Sequence, residues 1–331
     1  MRIFGVGPAV IKRRTVLGAA GASLLVAPAF AQAYPNKPLK MVVPYPPGGV
    51  NDAVARVYAE KLATELGKPV IVDNRAGAAT TVASNYVAHA APDGYTIYAG
   101  GTSLVINPTL TGQVQYDPHK SFELVSLMSF TAFILHVNAD FPAKNMAELI
   151  AVVKANPGKF NIASSGVGAT NHLAGELLKA RAGLNLVSVP YKGGAQAGQD
   201  VAGGQAQMMF SASLEAKPVL ASGRTRAIAI SSQQRSPAFP DIPTVVESTE
   251  LKDFEVVFWQ GMVVPAGTPQ PIIDKLQKAI VKVAADPDVI ERFKQQGVEI
   301  RSSTPAEFKD FYAKEEKRWT TLIKEQGIKA E

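Results

Sequence analysis

A stretch of apolar chain that stops at prolines and glycines and resumes at once with helical spacing can fold in few ways. Residues 41–52, Met-Val-Val-Pro-Tyr-Pro-Pro-Gly-Gly-Val-Asn-Asp, are such a stretch. Met41, Val42 and Val43 suit a buried strand, and Pro44, Pro46 and Pro47 forbid its ladder from continuing. Gly48 and Gly49 carry no Cβ, so the backbone can reverse there and present bare N–H groups. Asp52 reads as the N-cap of a helix whose inner face is Val54, Ala55, Tyr58, Ala59 and Leu62. Strand, glycine turn and helix N-terminus together favour an anion, because unpaired N–H groups and the helix dipole point the same way. A plain βα connection is the competing reading. No Gly-Lys-Ser/Thr follows the glycines, so a phosphate-binding P-loop is a poor fit, and a dinucleotide fingerprint is also missing.

The device recurs. A strand over 160–163 runs into Ser164-Ser165-Gly166-Val167-Gly168-Ala169-Thr170-Asn171, and a helix follows through Leu173, Leu177 and Leu178. After the first corner come a strand over 69–72, a helix of small residues over 78–90, and a strand over 95–99 ending in Gly100-Gly101-Thr102-Ser103. This β-α-β-α-β order predicts a parallel sheet with helices on both faces, whose ligands sit at the carboxyl ends of the strands. Further strands are expected at 130–138, 186–189, 206–210, 226–230 and 254–264, with helices over 147–155, 271–284, 288–296 and 305–325. The last helices have no clear partner strands and find their simplest home against the first half, so the chain crosses between halves near 130–138 and 254–264. Two α/β lobes joined by two strands, each offering a glycine turn to a shared cleft, make a hinged solute-binding architecture.

Composition narrows the function. A chain of 331 residues with 47% hydrophobic and 19% charged content holds enough core for two domains. The formal charge of +6 overstates its basicity: four of the 34 basic residues, Arg2, Lys12, Arg13 and Arg14, lie in a leader without acids, leaving 30 against 28 acidic residues. Nucleic-acid binding has no electrostatic footprint. Residues 1–33 read as a secretion signal, with Lys12-Arg13-Arg14, an apolar run over 16–30 and the small-residue site Ala31-Gln32-Ala33. Arg13-Arg14-Thr15-Val16-Leu17 also resembles a twin-arginine signal, and ordinary and folded-state export both stay open. The run is too short and too rich in Gly and Ala for a comfortable membrane span, so the expectation is a soluble periplasmic protein, a monomer. No cysteine occurs and only four histidines, so thiol catalysis and thiolate metal sites are excluded and a His-rich metal site is not expected.

Spread in order over nearly the whole mature chain are Pro44-Tyr45-Pro46-Pro47-Gly48-Gly49 with Asp52 and Ala55-Arg56, Asn74-Arg75-Ala76-Gly77, Pro92-Asp93-Gly94-Tyr95, Asn107-Pro108 and Tyr116-Asp117-Pro118. His172-Leu173-Ala174-Gly175-Glu176, Pro190-Tyr191-Lys192-Gly193, Gly203-Gly204-Gln205, Pro240-Asp241-Ile242-Pro243-Thr244 and Pro265-Ala266-Gly267-Thr268-Pro269 follow. With these the chain resembles the Bug-type extracytoplasmic solute receptors of tripartite tricarboxylate transporters. The resemblance implies a type II periplasmic-binding fold of two Rossmann-like lobes, 34–134 plus 258–331 and 135–257. It implies no cofactor, integral-membrane transporter subunits as partners, and a small carboxylate held largely by backbone amides and bridging waters. Carried over position by position, one carboxylate meets Tyr45, Gly48, Gly49, Val50 and Asn51, and the second lobe offers Ser164, Gly166, Gly168 and Thr170. Two departures stand out: Ala169 where many relatives have Ser, and Leu104 where many have His. Both remove polar groups from the expected cleft, which predicts a solute with an apolar body, aromatic or longer aliphatic, over aspartate-like ones.

Other residues carry two readings each. Thr102 and Ser103 offer hydroxyls to the cleft or cap a helix, and Ser211 is a similar candidate. Tyr191 lies over the cleft, with Lys192 meeting a carboxylate, or both simply end a strand. Trp259 reads as core. His172 and Glu176, one helical turn apart with no third ligand, read as a surface or capping pair, so no metal is expected. The alternative class is a secreted hydrolase acting on a small carboxylate ester, but no Gly-x-Ser-x-Gly elbow occurs and the histidines sit in no triad context, which favours a binder over an enzyme.

Overall fold

β1 (Leu39–Val43) is the strand expected ahead of the first corner, and four of its five residues are buried. It lies between β2 (Val70–Asn74) and β3 (Thr96–Gly101) and runs parallel to both, starting at Leu39↔Val70 and Lys40↔Thr96. α1 (Val50–Leu66) leaves the turn after β1 and stops at Gly67, which takes the left-handed φ of 68° that ends helices. The structure is a computed structural model that describes residues 1–5 and 34–329, so most of the expected leader, its arginine pair included, lies outside the described residues. Among the described residues no helix is long and apolar enough to cross a membrane.

The helix expected from residue 78 begins later. Ala78, Ala79 and Thr80 form one reversed turn, with φ of 44°, 51° and 78°, before α2 (Thr81–Ala88). Side chains with a Cβ resist this conformation, and Asn107 holds it by donating from Nδ2 to the Ala79 carbonyl at 2.5 Å. Asn107 belongs to α3 (Ser103–Leu110), which starts where β3 ends.

β4 (Phe122–Asn138) links two ladders. Its first part pairs antiparallel with a late strand, Phe122↔Pro265 to Ala132↔Val257, and its last part pairs with two others from Phe133 onward. The second ladder follows in chain order: α4 (Met146–Ala155), β5 (Asn161–Ser164), α5 (Thr170–Ala182), β6 (Val187–Pro190), α6 (Gly194–Gly203), β7 (Met208–Ala212), α7 (Ser213–Ala221) and β8 (Thr225–Ile230). β5 runs parallel to β6 and β7, while β7 and β8 run antiparallel to β4. After α8 (Val245–Ser248) the chain returns, Val256 N–H donating to the Ser231 carbonyl, and enters β9 (Val257–Pro265) between β3 and β4. The sheet order is thus β2-β1-β3-β9-β4-β7-β5-β6. This is the mixed α/β architecture of two ladders, joined through two crossings, that the residue pattern implied.

α9 (Gln270–Ala284), α10 (Pro287–Lys294) and α11 (Pro305–Glu325) pack on the first ladder as expected, α9 on α1 and α11 on α3. One strand was not anticipated: β10 (Val298–Ile300) pairs antiparallel with residues 129–131 of β4. Three residues are too few to show a period. Trp259, fully buried, meets Phe308, Phe311 and Tyr312 edge-to-face at 5.7–5.9 Å, so its expected core role holds.

Candidate functional site

The first corner is assembled by one carboxylate. Gly49, extended at φ −81° and ψ 173°, is the N-cap of α1, and Asp52 is the third residue inside the helix rather than its cap. From there Asp52 Oδ2 accepts the Gly48 amide at 3.0 Å and Arg56 Nε at 2.8 Å, while Oδ1 accepts Asn74 Nδ2 at 2.9 Å. Asn74 also donates to the Tyr45 carbonyl at 3.0 Å. Burial alone would raise the Asp52 pKa. The bonds from Arg56, Gly48 and Asn74 outweigh burial and hold the carboxyl below its ordinary range. The Gly48 amide is therefore committed inward. The amides of Gly49, Val50 and Asn51, in the first turn of α1, have no acceptor among the described residues. Asn51 is only 4% exposed, yet neither atom of its side-chain amide has a hydrogen-bond partner, although its carbonyl accepts Gln260 Nε2 at 3.0 Å. A buried amide left so normally costs 1–3 kcal/mol, roughly.

Around this corner stand Tyr45, Ser103 and Phe258. The Tyr45 and Phe258 rings meet edge-to-face at 5.9 Å, and a Cβ at Gly101 would press on Phe258 at 3.3 Å. Burial raises the Tyr45 phenol pKa, and the neighbouring Ser103 hydroxyl offsets part of that rise. Ser103 Oγ itself has no partner of hydrogen-bond geometry. Thr102 Oγ1 accepts the Trp259 amide at 3.4 Å. Phe258 was missed from the sequence. Strand alternation was the available signal, since a core Trp259 turns its neighbour to the other face.

The second corner repeats the first with different chemistry. Thr170, Asn171 and His172 open α5 as Val50, Asn51 and Asp52 open α1, and Ala169 is the N-cap. His172 Nδ1 accepts the Gly168 amide at 3.1 Å, the same backward reach of four residues that Asp52 makes. Asn171 is satisfied, accepting Ser165 Oγ at 2.9 Å and donating to the Phe210 carbonyl at 3.2 Å. The amides of Gly166, Val167 and Thr170 have no acceptor among the described residues. Tyr191 joins this corner by its backbone, donating to the Ser164 carbonyl at 2.9 Å. Its ring packs against the cluster of Ala197 and Val201, and its phenol faces Asp200. Lys192 is exposed. Ser164 is buried and only loosely bonded to the Gly166 carbonyl at 3.5 Å, and Ser211 is committed to His136 Nε2 at 2.8 Å.

α3 spans the distance between the corners. Ser103, its first residue, lies by the first turn, and a Cβ at Gly168 would collide with Leu110, its last. Eight helical residues cover about 11 Å. Leu104, next to Ser103, is fully buried in the core with Tyr98 and close to Gly100. Two surface grooves of about 450 and 480 Å³ lie elsewhere, one along α1 and α9 and one beside β10, and neither is lined by the corner residues. Among the described residues no three metal-ligating side chains gather.

Comparison with known proteins agrees with this geometry. Residues 54–328 match the family described as the tripartite tricarboxylate transporter family receptor, TctC. The solved structure of the periplasmic binding protein BugD is 38% identical, covers 90% of this chain and 100% of its own, and superposes with a TM-score of 0.78. A Rhodopseudomonas palustris protein, MatC, solved with bound malate, is 31% identical with a TM-score of 0.76 over 88% of this chain and 100% of its own. R. palustris Rpa4515, solved with adipate, is 28% identical with a TM-score of 0.81 over 90% and 100%. The chain belongs to the TctC, or Bug, family of periplasmic solute receptors.

Proposed function

We propose that this protein is exported to the periplasm, captures one small carboxylate between two lobes, 34–134 plus 258–331 and 135–257, and presents it to the membrane subunits of a tripartite tricarboxylate transporter without chemical turnover. The carrying observation is Asn51: a side-chain amide held out of solvent with no partner, at a helix N-terminus whose first amides are also unpartnered. The partner switch along β4, from β9 up to Ala132 to β7 from Phe133, supports the lobe boundary near residue 134. Adipate and malate bound by two relatives support a dicarboxylate. Within that class Tyr45, Phe258 and Ala169 favour a solute with an apolar body, aliphatic or aromatic.

The test is calorimetry and thermal unfolding with adipate, benzoate and L-aspartate. Adipate or benzoate is expected to bind and, at a hundredfold excess over Kd, to stabilise by about 2.7 kcal/mol, with aspartate much weaker. Asn51→Leu is expected to abolish binding while leaving the unliganded protein as stable or about 1 kcal/mol more so, since it removes buried polar atoms without partners. Tight aspartate binding with none of the apolar acids would overturn the preference for an apolar body, and full affinity in Asn51→Leu would overturn the assignment of the site.

A further inference from the structure

The corner at Gly168 depends on a group that can lose its role. His172 is 8% exposed, and its Nδ1 can accept the Gly168 amide only when that nitrogen carries no proton. The neutral ring then bears its hydrogen on Nε2, which faces Glu176 Oε1 at 3.7 Å. Glu176 is fixed in turn by Lys179 Nζ at 2.9 Å and by the Ser188 hydroxyl on β6, to which Lys179 also donates at 3.1 Å. Protonation would set an N–H of the ring against the N–H of Gly168. Two donors cannot share that contact, so the turn must shift. Beyond it Leu110 leaves no room on the Gly168 side.

We propose that His172 is the positioning residue of the second corner: the neutral imidazole pins the Gly168 amide, keeps the amides of Gly166, Val167 and Thr170 aimed at the bound carboxylate, and releases them when it takes up a proton. This rests on the receptor reading above and adds to it an acid-triggered loss of solute. The charged groups acting on the ring are Glu176 and Lys179, both on α5. α3, β5 and β7 carry no charged residue, β6 contributes only the Ser188 hydroxyl, and no charge on α11 acts on it. Burial pushes the His172 pKa below the ordinary histidine value, Glu176 opposing, so the pin is in place at neutral pH and lost only in acid.

The experiment compares the pH dependence of solute affinity in the full protein, His172→Asn and His172→Phe, with adipate and benzoate as probes from pH 7.5 to 4.5. Asparagine at this position can supply an uncharged acceptor, because the equally short Asp52 makes the same reach in α1. His172→Asn is expected to bind within about threefold of the parent at pH 7.5, and His172→Phe about tenfold more weakly, the loss of one hydrogen bond. Between pH 7.5 and 4.5 the parent should lose about tenfold more affinity than His172→Asn, which carries the same titration of solute and of Asp52. Parallel profiles for parent and His172→Asn would overturn the proposal. Hydrogen-exchange protection of the Gly168 amide separates this failure from failure of the receptor reading. If neither acid binds, the receptor reading falls, and the pin still stands or falls on its own: protected at pH 7 in parent and His172→Asn but not in His172→Phe, or unchanged among all three.

Discussion

The two corners share a backbone plan and differ in the group that fastens it. Gly48-Gly49-Val50-Asn51-Asp52 and Gly168-Ala169-Thr170-Asn171-His172 each put a glycine before the N-cap, an asparagine second in the helix and a backward-reaching side chain third. Asp52 accepts three donors, one from Arg56, and its carboxylate persists into acid. His172 accepts one backbone amide and must stay neutral to do so. The asparagines invert the pattern: Asn171 is spent on Ser165 and on the Phe210 carbonyl of β7, whereas Asn51 has both amide atoms unpartnered. One corner is firmly built and offers a side chain; the other offers backbone and is lightly held. A receptor that must grip and release gains from placing the weak fastening on one side only.

The largest effect that sharpens this contrast comes from acid. His136 on β4 is fully buried, bonded through Nε2 to Ser211, with Nδ1 unpartnered, and burial lowers its pKa from 6.5 to about 4. Its folded pKa lies below the unfolded one, so the unfolded state binds more protons in the window between. The stability it confers is complete above pH 6.5 and drains away as pH falls toward 4, by about 3 kcal/mol in all. Asp52 titrates in the same sense but in a lower window, its pKa held below 3.8, so its contribution survives until pH drops below that value. Hydrogen exchange between pH 6.5 and 4 should therefore show α5 and β7 losing protection while α1 keeps it. Uniform loss across both ladders would erase the distinction.

A smaller effect comes from cutting each fastening at neutral pH. Asp52→Ala removes three hydrogen bonds, one of them from the Arg56 guanidinium, and leaves the Gly48 amide without its acceptor, at about 2 kcal/mol. His172→Ala removes one neutral bond and a long contact to Glu176, at about 1 kcal/mol. Urea denaturation of the two variants measures the pair directly, and equal losses would mean that the corners are fastened alike.

Much of the frame was readable in advance. Residues 41–43 are an apolar run cut off by Pro44, and the strand read at 160–163 stops shortly before Gly166; such boundaries survive tertiary packing because they rest on backbone chemistry. The recurrence of the strand, glycine turn and helix was legible, but the common fastening was not, since Asp and His do not look alike until their reach is seen, though the spacing Gly-x-x-Asn before them was available. Phe258 was hidden by Trp259, the larger neighbour. Among the residues expected to meet the solute, the Gly48 and Gly168 amides are bonded within their own corners, and the Thr102 and Ser211 hydroxyls each have one protein partner. Sequence shows which atoms can bond a ligand, but not which of them another residue reaches first.

The smallest expected effect tests the glycines themselves. Gly49 sits at φ −81°, and a methyl added there would meet nothing within 4 Å, whereas Gly166 sits at φ +139°, a region that side chains rarely enter. Gly49→Ala should change stability by no more than about 0.5 kcal/mol, and Gly166→Ala should cost about 1 kcal/mol from strain alone. A methyl at Gly49 stands among the unpartnered amides of α1, so this variant separates occupancy from folding: adipate affinity should fall while the melting temperature stays. If instead affinity is untouched in Gly49→Ala and lost in Gly166→Ala, the lightly held corner would be the one that grips, and the roles assigned to the two would have to be exchanged.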